Sequence, residues 1–188
     1  MPGCNAPIAD DILLDYWVRD VTDSDETDPI EEHLFACGDC SARLHQITSL
    51  GAGLAALVRL GRVTGILSRS LLNRLQRDGV HVRLYSLSPG ETVPCAVFPG
   101  DDLVVTALRA DFSAADAVTL SVMGPGGSSI GRVDDVPVSR VDGEVLWALP
   151  AAIVRQMPSM RLQITLVSAG DTRAELGTYA LDHTASPA

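Results

Sequence analysis

The sequence predicts an α+β protein with more than one domain, in which a small helical bundle precedes an antiparallel β-sandwich. Residues 1 to about 79 show helical periodicity, whereas residues 80–188 alternate short apolar runs with turn sequences such as SPGE, PGDD and GPGGSS. Strands at this spacing, without long helices between them, are typical of a sandwich of about 100 residues. We therefore expect a helical domain over 1–60, an amphipathic linker helix over 61–79 and a sandwich over 80–188.

Charge is the next constraint on function. The 188 residues carry 14 basic and 24 acidic side chains, a net charge of −10. Such a chain repels a phosphate backbone, so we expect no direct contact with nucleic acid. Residues 1–50 hold eleven acidic side chains against two arginines, and residues 51–83 hold six arginines against one aspartate. The acidic N-terminal part suits a partner protein with a basic surface.

The sequence predicts no membrane span. Its most apolar helical stretch, SLGAGLAALVRLG, is interrupted by Arg59 and is shorter than the roughly 20 residues that a bilayer requires. The N-terminus lacks the basic region and apolar run of a signal peptide. We therefore expect a cytoplasmic protein, in which the four cysteines are reduced thiols rather than structural disulfides. Clustered thiols in a reducing compartment indicate metal or redox chemistry.

The segment DPIEEHLFACGDC places a histidine and two cysteines close together. Asp28 can cap a helix on which His33 and Cys37, four residues apart, project from the same face. Gly38 is suited to ending that helix, so that Cys40 falls in the first turn of the next one. The three side chains form a soft ligand set, and Zn²⁺ suits a mixture of thiolate and imidazole.

A closed tetrahedral site needs a fourth ligand. Cys4 is the best candidate because it precedes the first helix; His45 is the second candidate, and Cys95 lies in the predicted sandwich. Two alternatives remain, a redox-active C-x-x-C pair and an ordinary helix face with a solvated histidine. The redox pair is typical of a βαβ context, which the sequence lacks. The sequence thus predicts one zinc ion held by four residues: Cys4, His33, Cys37 and Cys40.

The stretch LLDYWVRDVTDSDETDPIEEHLFACGDCSARL resembles the zinc-binding anti-sigma factor domain. That family has a leucine-rich first helix, an acidic connector and then H-L-x-x-C-x-x-C. Four positions match residue by residue: His33, Leu34, Cys37 and Cys40. Cys4 matches the family's fourth ligand, a Cys or His shortly before the first helix, whereas VRDVTD replaces the common LDGEL. The resemblance covers about residues 1–60.

The resemblance implies a function. In that family three helices around zinc and a fourth helix on a flexible link clamp a sigma factor of the extracytoplasmic-function group, which represses transcription. Residues 61–79 suit the fourth helix, with Gly61 and Gly65 as a hinge and an apolar side formed by Ile66, Leu67, Leu71, Leu72 and Leu75. An equally open interpretation of this helix is a linker that packs on the sandwich.

The predicted sandwich shows no catalytic pattern. After residue 80 the only histidines are His81 and His183, no Ser/His/Asp set stands out, and GPGGSS lacks the Lys-Ser/Thr of a phosphate-binding loop. We therefore expect no enzymatic activity. The alternative to an anti-sigma factor is a zinc-containing interaction or adaptor protein whose β-sandwich is the binding module.

Overall fold

The computed structural model describes residues 4, 6–18, 24–138, 141–169 and 173–185, with backbone alone for 24–26 and 137. Helices come first: α1 (Asp10–Val18), α2 (Ser24–Ala36) and α3 (Gly38–Arg59). Residues 4–59 are called the head below. Within the described ranges, no helix is sufficiently long and apolar to cross a bilayer.

Strands dominate the remainder of the chain. A short strand and a helix lead into it: β1 (Gly65–Leu67) and α4 (Arg69–Arg77). The elements that follow are β2 (Val82–Leu87), β3 (Thr92–Cys95), β4 (Leu103–Arg109), β5 (Ala117–Met123), β6 (Ser129–Pro137), β7 (Glu144–Pro150), α5 (Ala151–Gln156), β8 (Met160–Ser168) and β9 (Glu175–His183). N-terminal helices followed by sheets agree with the predicted α+β class.

The strands form two sheets. The four-stranded sheet has the order β1-β7-β4-β2, and the five-stranded sheet has the order β3-β9-β8-β5-β6. Most neighbours are antiparallel, but β2 runs parallel to β4, and β3 runs parallel to β9. The prediction of purely antiparallel sheets is therefore wrong at these strands. The physical reason is the turn after β2, which passes the chain to the other sheet instead of folding it back as a hairpin.

Both sheets contribute to one apolar cluster of twenty buried residues. It includes Leu108 of β4, Leu166 of β8 and Tyr179 of β9. The Tyr179 hydroxyl donates a hydrogen bond of 2.6 Å to the carbonyl oxygen of Arg109, so its polar atom is satisfied although the ring is buried. This cluster is the largest block of buried apolar surface in the described part of the chain.

A second apolar cluster joins the helices to the four-stranded sheet. Val58 of α3 and Leu72 and Leu75 of α4 pack with residues of β4 and β7: Leu103, Val105, Ala107, Leu146 and Ala148. Strand β4 therefore has side chains buried on both of its faces. The linker helix packs on a sheet, which was one of the two interpretations that the sequence left open.

The linker helix is also shorter than the sequence predicts. Ile66 and Leu67 form part of β1 and pair with Trp147 and Leu146 of β7. Helix α4 begins only after Ser68, whose hydroxyl accepts a hydrogen bond of 3.2 Å from the Leu71 amide. A helix that reaches back through residues 65–67 is thus wrong, because this apolar run pairs with an available sheet edge.

Helix α4 also contacts the end of α1. The Arg74 guanidinium donates to the Trp17 carbonyl oxygen at 3.1 Å and lies 5.0 Å from the centroid of the Trp17 ring. Arg77 donates to the Val18 carbonyl oxygen at 2.8 Å. Arginines thereby satisfy carbonyl groups that a helix end leaves without partners. Helix α4 is consequently packed against both the head and the four-stranded sheet.

Candidate metal centre

Four potential metal ligands meet at the junction of α2 and α3. His33 lies on the last turn of α2, Cys37 links the two helices, and Cys40 lies in the first turn of α3. The preceding segment adds Cys4, whose Sγ lies 3.5 Å from His33 Nε2. One ligand atom from each of the four residues lies within 4.8 Å of the others. We call this set the Cys/His cluster.

The donor set fits a zinc ion. Zn–S bonds of about 2.3 Å and Zn–N bonds of about 2.0–2.1 Å place neighbouring ligands of a tetrahedral ion roughly 3.5–3.8 Å apart. The 3.5 Å between Cys4 Sγ and His33 Nε2 agrees with that range. The other ligand atoms lie within 4.8 Å of one another, so they would move only about 1 Å closer to bind one ion. Cys40 is buried and the other three residues are half-buried, as in a closed structural site.

The local backbone tunes the thiols of the cluster. The backbone N–H of Cys40 and then the Cys4 side chain lower the pKa of the Cys37 thiol to about 7. The backbone N–H of Ala6 lowers the pKa of Cys4, but desolvation and the sulfurs of Cys37 and Cys40 outweigh it, so that the pKa of Cys4 is raised. Three sulfurs at one point repel each other as thiolates, which a cation relieves.

Polar contacts position the three segments of the cluster. Arg43 of α3 donates to the Ile8 carbonyl oxygen at 2.9 Å and forms an ion pair with Asp10, which anchors the chain between Cys4 and α1. The Ser41 hydroxyl donates to the Leu34 carbonyl oxygen at 2.5 Å, which joins the start of α3 to α2. The cluster is therefore held by bonds from α3 on both sides.

The other soft residues lie elsewhere. Cys95 is buried in the apolar cluster to which both sheets contribute, at the end of β3. His45 lies farther along α3 and is not among the residues brought together. The described structure thus brings together the four residues that the sequence predicted and leaves the two other candidates out.

The head also carries a groove that the sequence analysis missed. It lies between α1, α3 and the start of α4, has a volume of about 740 Å³ and is lined by apolar side chains that include Leu14, Trp17, Leu50, Leu54 and Leu71. Leu14 is 48 % exposed and Leu50 is 74 % exposed. The apolar periodicity of α3 contained the signal, but periodicity alone does not show that no partner element covers Leu50.

Comparisons with known proteins identify no family. No protein-family model matches the chain, and no curated protein matches it either. Among solved structures, the N-terminal domain of ORF48 from phage TP901-1 is 6 % identical, with 56 % of this chain and 99 % of that chain covered and a TM-score of 0.33. A crystal structure of CD84 is also 6 % identical, with coverages of 57 % and 99 % and a TM-score of 0.27. Likenesses this weak carry no argument about fold or function.

Proposed function

We propose that this chain is a cytoplasmic zinc-binding anti-sigma factor, which sequesters a sigma factor of the extracytoplasmic-function group and so represses transcription. The observation that carries the proposal is the Cys/His cluster in a helical head whose sequence resembles that family. The ligands are Cys4, His33, Cys37 and Cys40. The proposal assigns the chain no catalytic role.

Zinc has a structural role in this proposal. It would join three parts of the head: the segment before α1, the end of α2 and the start of α3. Few buried apolar side chains connect these parts. Because such a site does not exist in the unfolded chain, the free energy of metal binding becomes free energy of folding. The chain's own contribution is the pre-formed geometry, fixed by Arg43 and Ser41.

The groove is the surface that we assign to the sigma factor. Its apolar floor is exposed at Leu14 and Leu50. Two acidic side chains of α1, Asp11 and Asp15, lie beside it, while Asp10 at its edge is paired with Arg43. An apolar groove with an acidic rim complements a helix that is apolar on one side and basic on the other, as expected for a DNA-binding partner.

Zinc binding is tested by metal analysis of the full-length protein purified under reducing conditions without chelator. We expect about one zinc per chain, since one tetrahedral site has four ligands. Cys4→Ala should weaken zinc retention strongly, whereas Cys95→Ala, the matched control, should retain it. Less than half an equivalent in the reduced wild-type protein would contradict the proposed site, and a larger effect of Cys95→Ala would reassign the fourth ligand.

Sigma binding is tested by affinity measurements with the extracytoplasmic-function sigma factor encoded beside this gene. Leu50→Glu in the full chain introduces a charge into the groove and should weaken binding by at least about tenfold, because the carboxylate would be desolvated in the complex. The control is Ile130→Glu, an exposed apolar residue of β6. Equal affinities for wild type and Leu50→Glu would remove the groove from the interface.

A second function is favoured by one observation. Helix α4 buries Leu72 and Leu75 against the four-stranded sheet, so its apolar side does not form a free clamp arm. This favours the zinc-containing adaptor, in which the sheets form the binding module. Loss of partner binding in Ile130→Glu but not in Leu50→Glu would support the adaptor over the anti-sigma factor.

We also infer that the two sheets pack face to face as a β-sandwich. Alternate residues of β8 and β9, in the five-stranded sheet, are buried. They belong to the same apolar cluster as buried residues of the four-stranded sheet. The domain boundaries after residues 60 and 79 remain a prediction.

A further inference from the structure

His183 is a buried imidazole whose ring nitrogens are unsatisfied among the described residues. It is 3 % exposed, and neither ring nitrogen has a hydrogen-bond partner in the described part of the protein. It is the last residue of β9, where burial alternates through Tyr179 and Leu181, so its side chain faces the apolar cluster. A neutral imidazole has one nitrogen that donates a hydrogen bond and one that accepts. A buried imidazole that makes neither bond therefore points to a ligand at this position.

Two sulfur-containing side chains flank this imidazole. His183 pairs in register with Cys95 on β3 and with Met160 on β8. Paired residues of neighbouring strands project from the same face of the sheet, and in an antiparallel pair such as Met160 and His183 the two Cβ atoms lie about 4.5–5.5 Å apart. Cys95 is part of the apolar cluster between the sheets, and Met160 packs against it. A thiol, an imidazole and a thioether thus form one row across three strands.

The row lies at one end of the five-stranded sheet. Cys95 ends β3, which is an edge strand, His183 ends β9, and Met160 begins β8. The flanking residues Ser159 and Thr184 are exposed. The amide of Thr184 donates to the Cys95 carbonyl oxygen at 2.9 Å, so the backbone beside the row is fixed.

We propose that Cys95, His183 and Met160 form a second metal site, which takes copper(I). Thiolate and thioether ligands select copper(I), and a single imidazole is too few for the harder two-imidazole set of copper(II) electron-transfer sites. The charge agrees with the surroundings: a thiolate and a monovalent ion sum to zero, whereas Zn²⁺ would leave a net positive charge in an apolar core.

Binding involves no electron transfer. The copper–sulfur bond forms as the thiol proton leaves to solvent, and copper stays in the +1 state throughout. Burial raises the pKa of the Cys95 thiol, opposed by the Tyr85 hydroxyl, so the metal-free site is a neutral thiol beside an imidazole. The site shares no residue with the Cys/His cluster. The copper proposal is therefore independent of the anti-sigma proposal.

The test uses the full-length, zinc-loaded protein under anaerobic conditions. Copper(I) is supplied as its complex with a chromophoric chelator, whose absorbance reports copper transfer, while a separate indicator reports zinc release. We expect one copper(I) per chain without loss of zinc. Cys95→Ala should lower the affinity by about 100-fold and Met160→Leu by about tenfold, as for the loss of a strong and a weak soft ligand.

Met157→Leu is the matched control, because Met157 packs against the same apolar cluster but is not in the row; it should leave copper binding unchanged. X-ray absorption of the loaded protein should show two sulfurs and one nitrogen. Copper that enters only as zinc leaves, or that binds Cys95→Ala and Met160→Leu as tightly as wild type, would overturn the proposal. If Cys95→Ala does not fold, Met160→Leu decides, since that exchange nearly conserves volume.

Discussion

The head and the two sheets bury apolar surface to very different extents. The sheets share a cluster of twenty buried residues. Among the described residues of the head, Leu13, Trp17 and Cys40 are buried within it, while Ala55 and Val58 pack on the four-stranded sheet instead. A unit of this size with so small a core needs another source of stability. The comparison teaches that hydrophobic packing accounts for the fold of the sheets, whereas the head has little of it and brings four possible metal ligands together instead.

Metal removal should separate the two regions most strongly. Stripping zinc from the reduced full-length protein with a strong chelator should loosen the head, since structural zinc contributes on the order of 10 kcal/mol in small domains. Amide hydrogen exchange in α1 and α2 should accelerate by at least about 100-fold, while β4 and β8 stay protected. Unchanged protection of α1 after complete zinc loss would show that the fold of the head does not depend on the metal.

A substitution on α3 tests how tightly the small core of the head is packed. A Cβ at Gly51 would overlap the Trp17 ring, so Gly51→Ala should cost about 1–3 kcal/mol of unfolding free energy. Gly53→Ala is the control, because its Cβ would meet no neighbour; there the substitution should stabilise α3 by about 0.5–1 kcal/mol. Urea unfolding followed by circular dichroism measures both, and stabilisation by Gly51→Ala would show that Trp17 does not pack there.

The ion pair between Arg69 and Glu144 tests the connection of α4 to the four-stranded sheet. Arg69 Nε lies 2.7 Å from Glu144 Oε1, and the Glu144 side chain is only 9 % exposed. Arg69→Met should cost about 1–3 kcal/mol, because it leaves a buried carboxylate without a partner.

The control for this pair is Arg132→Met, whose partner Asp134 is 53 % exposed; it should cost less than about 1 kcal/mol. Thermal unfolding of the two variants gives the comparison. Equal effects would mean that α4 is not fixed to the sheet through Arg69.

Substitution of Tyr179 gives the smallest effect at neutral pH and acts on the sheets. Burial raises the pKa of Tyr179 to about 12 from its ordinary value of 10. The neutral phenol therefore stabilises the fold fully below pH 10, and this contribution is lost as pH rises through 12. Tyr179→Phe should cost about 1 kcal/mol at neutral pH, because it removes the hydrogen bond to the Arg109 carbonyl oxygen, and it should flatten the loss of stability between pH 10 and 12. An unchanged slope would assign that loss to other groups.

Local spacing made much of the metal centre predictable. His33 lies on the last turn of α2, Cys37 directly follows that helix with its amide bonded to the His33 carbonyl oxygen at 2.8 Å, and Cys40 lies in the first turn of α3. The position of Cys4 depends on a contact between distant segments; its place before the first helix made it the best candidate, and the family resemblance agreed with that choice. The exposure of Leu50 was not predictable, since periodicity marks an apolar side but not whether another element covers it.

The missed features of the fold are all non-local. Ile66 and Leu67 become a strand through pairing with β7, some eighty residues later, although their own sequence suits a helix. The turn after β2 signals a change of direction but not which sheet receives the next strand. The row formed by Cys95, His183 and Met160 depends on strand register, which a single sequence does not contain.

The position of α4 beneath β4 and β7 has a consequence during synthesis. A ribosome completes α4 at Arg77, but the strand that covers Leu72 and Leu75 from the far side ends only at Pro150, 73 residues later. At about 5–20 residues per second this interval lasts roughly 4–15 s. During this interval the apolar side of α4, with Leu72 and Leu75, lacks the cover that β7 provides in the folded protein.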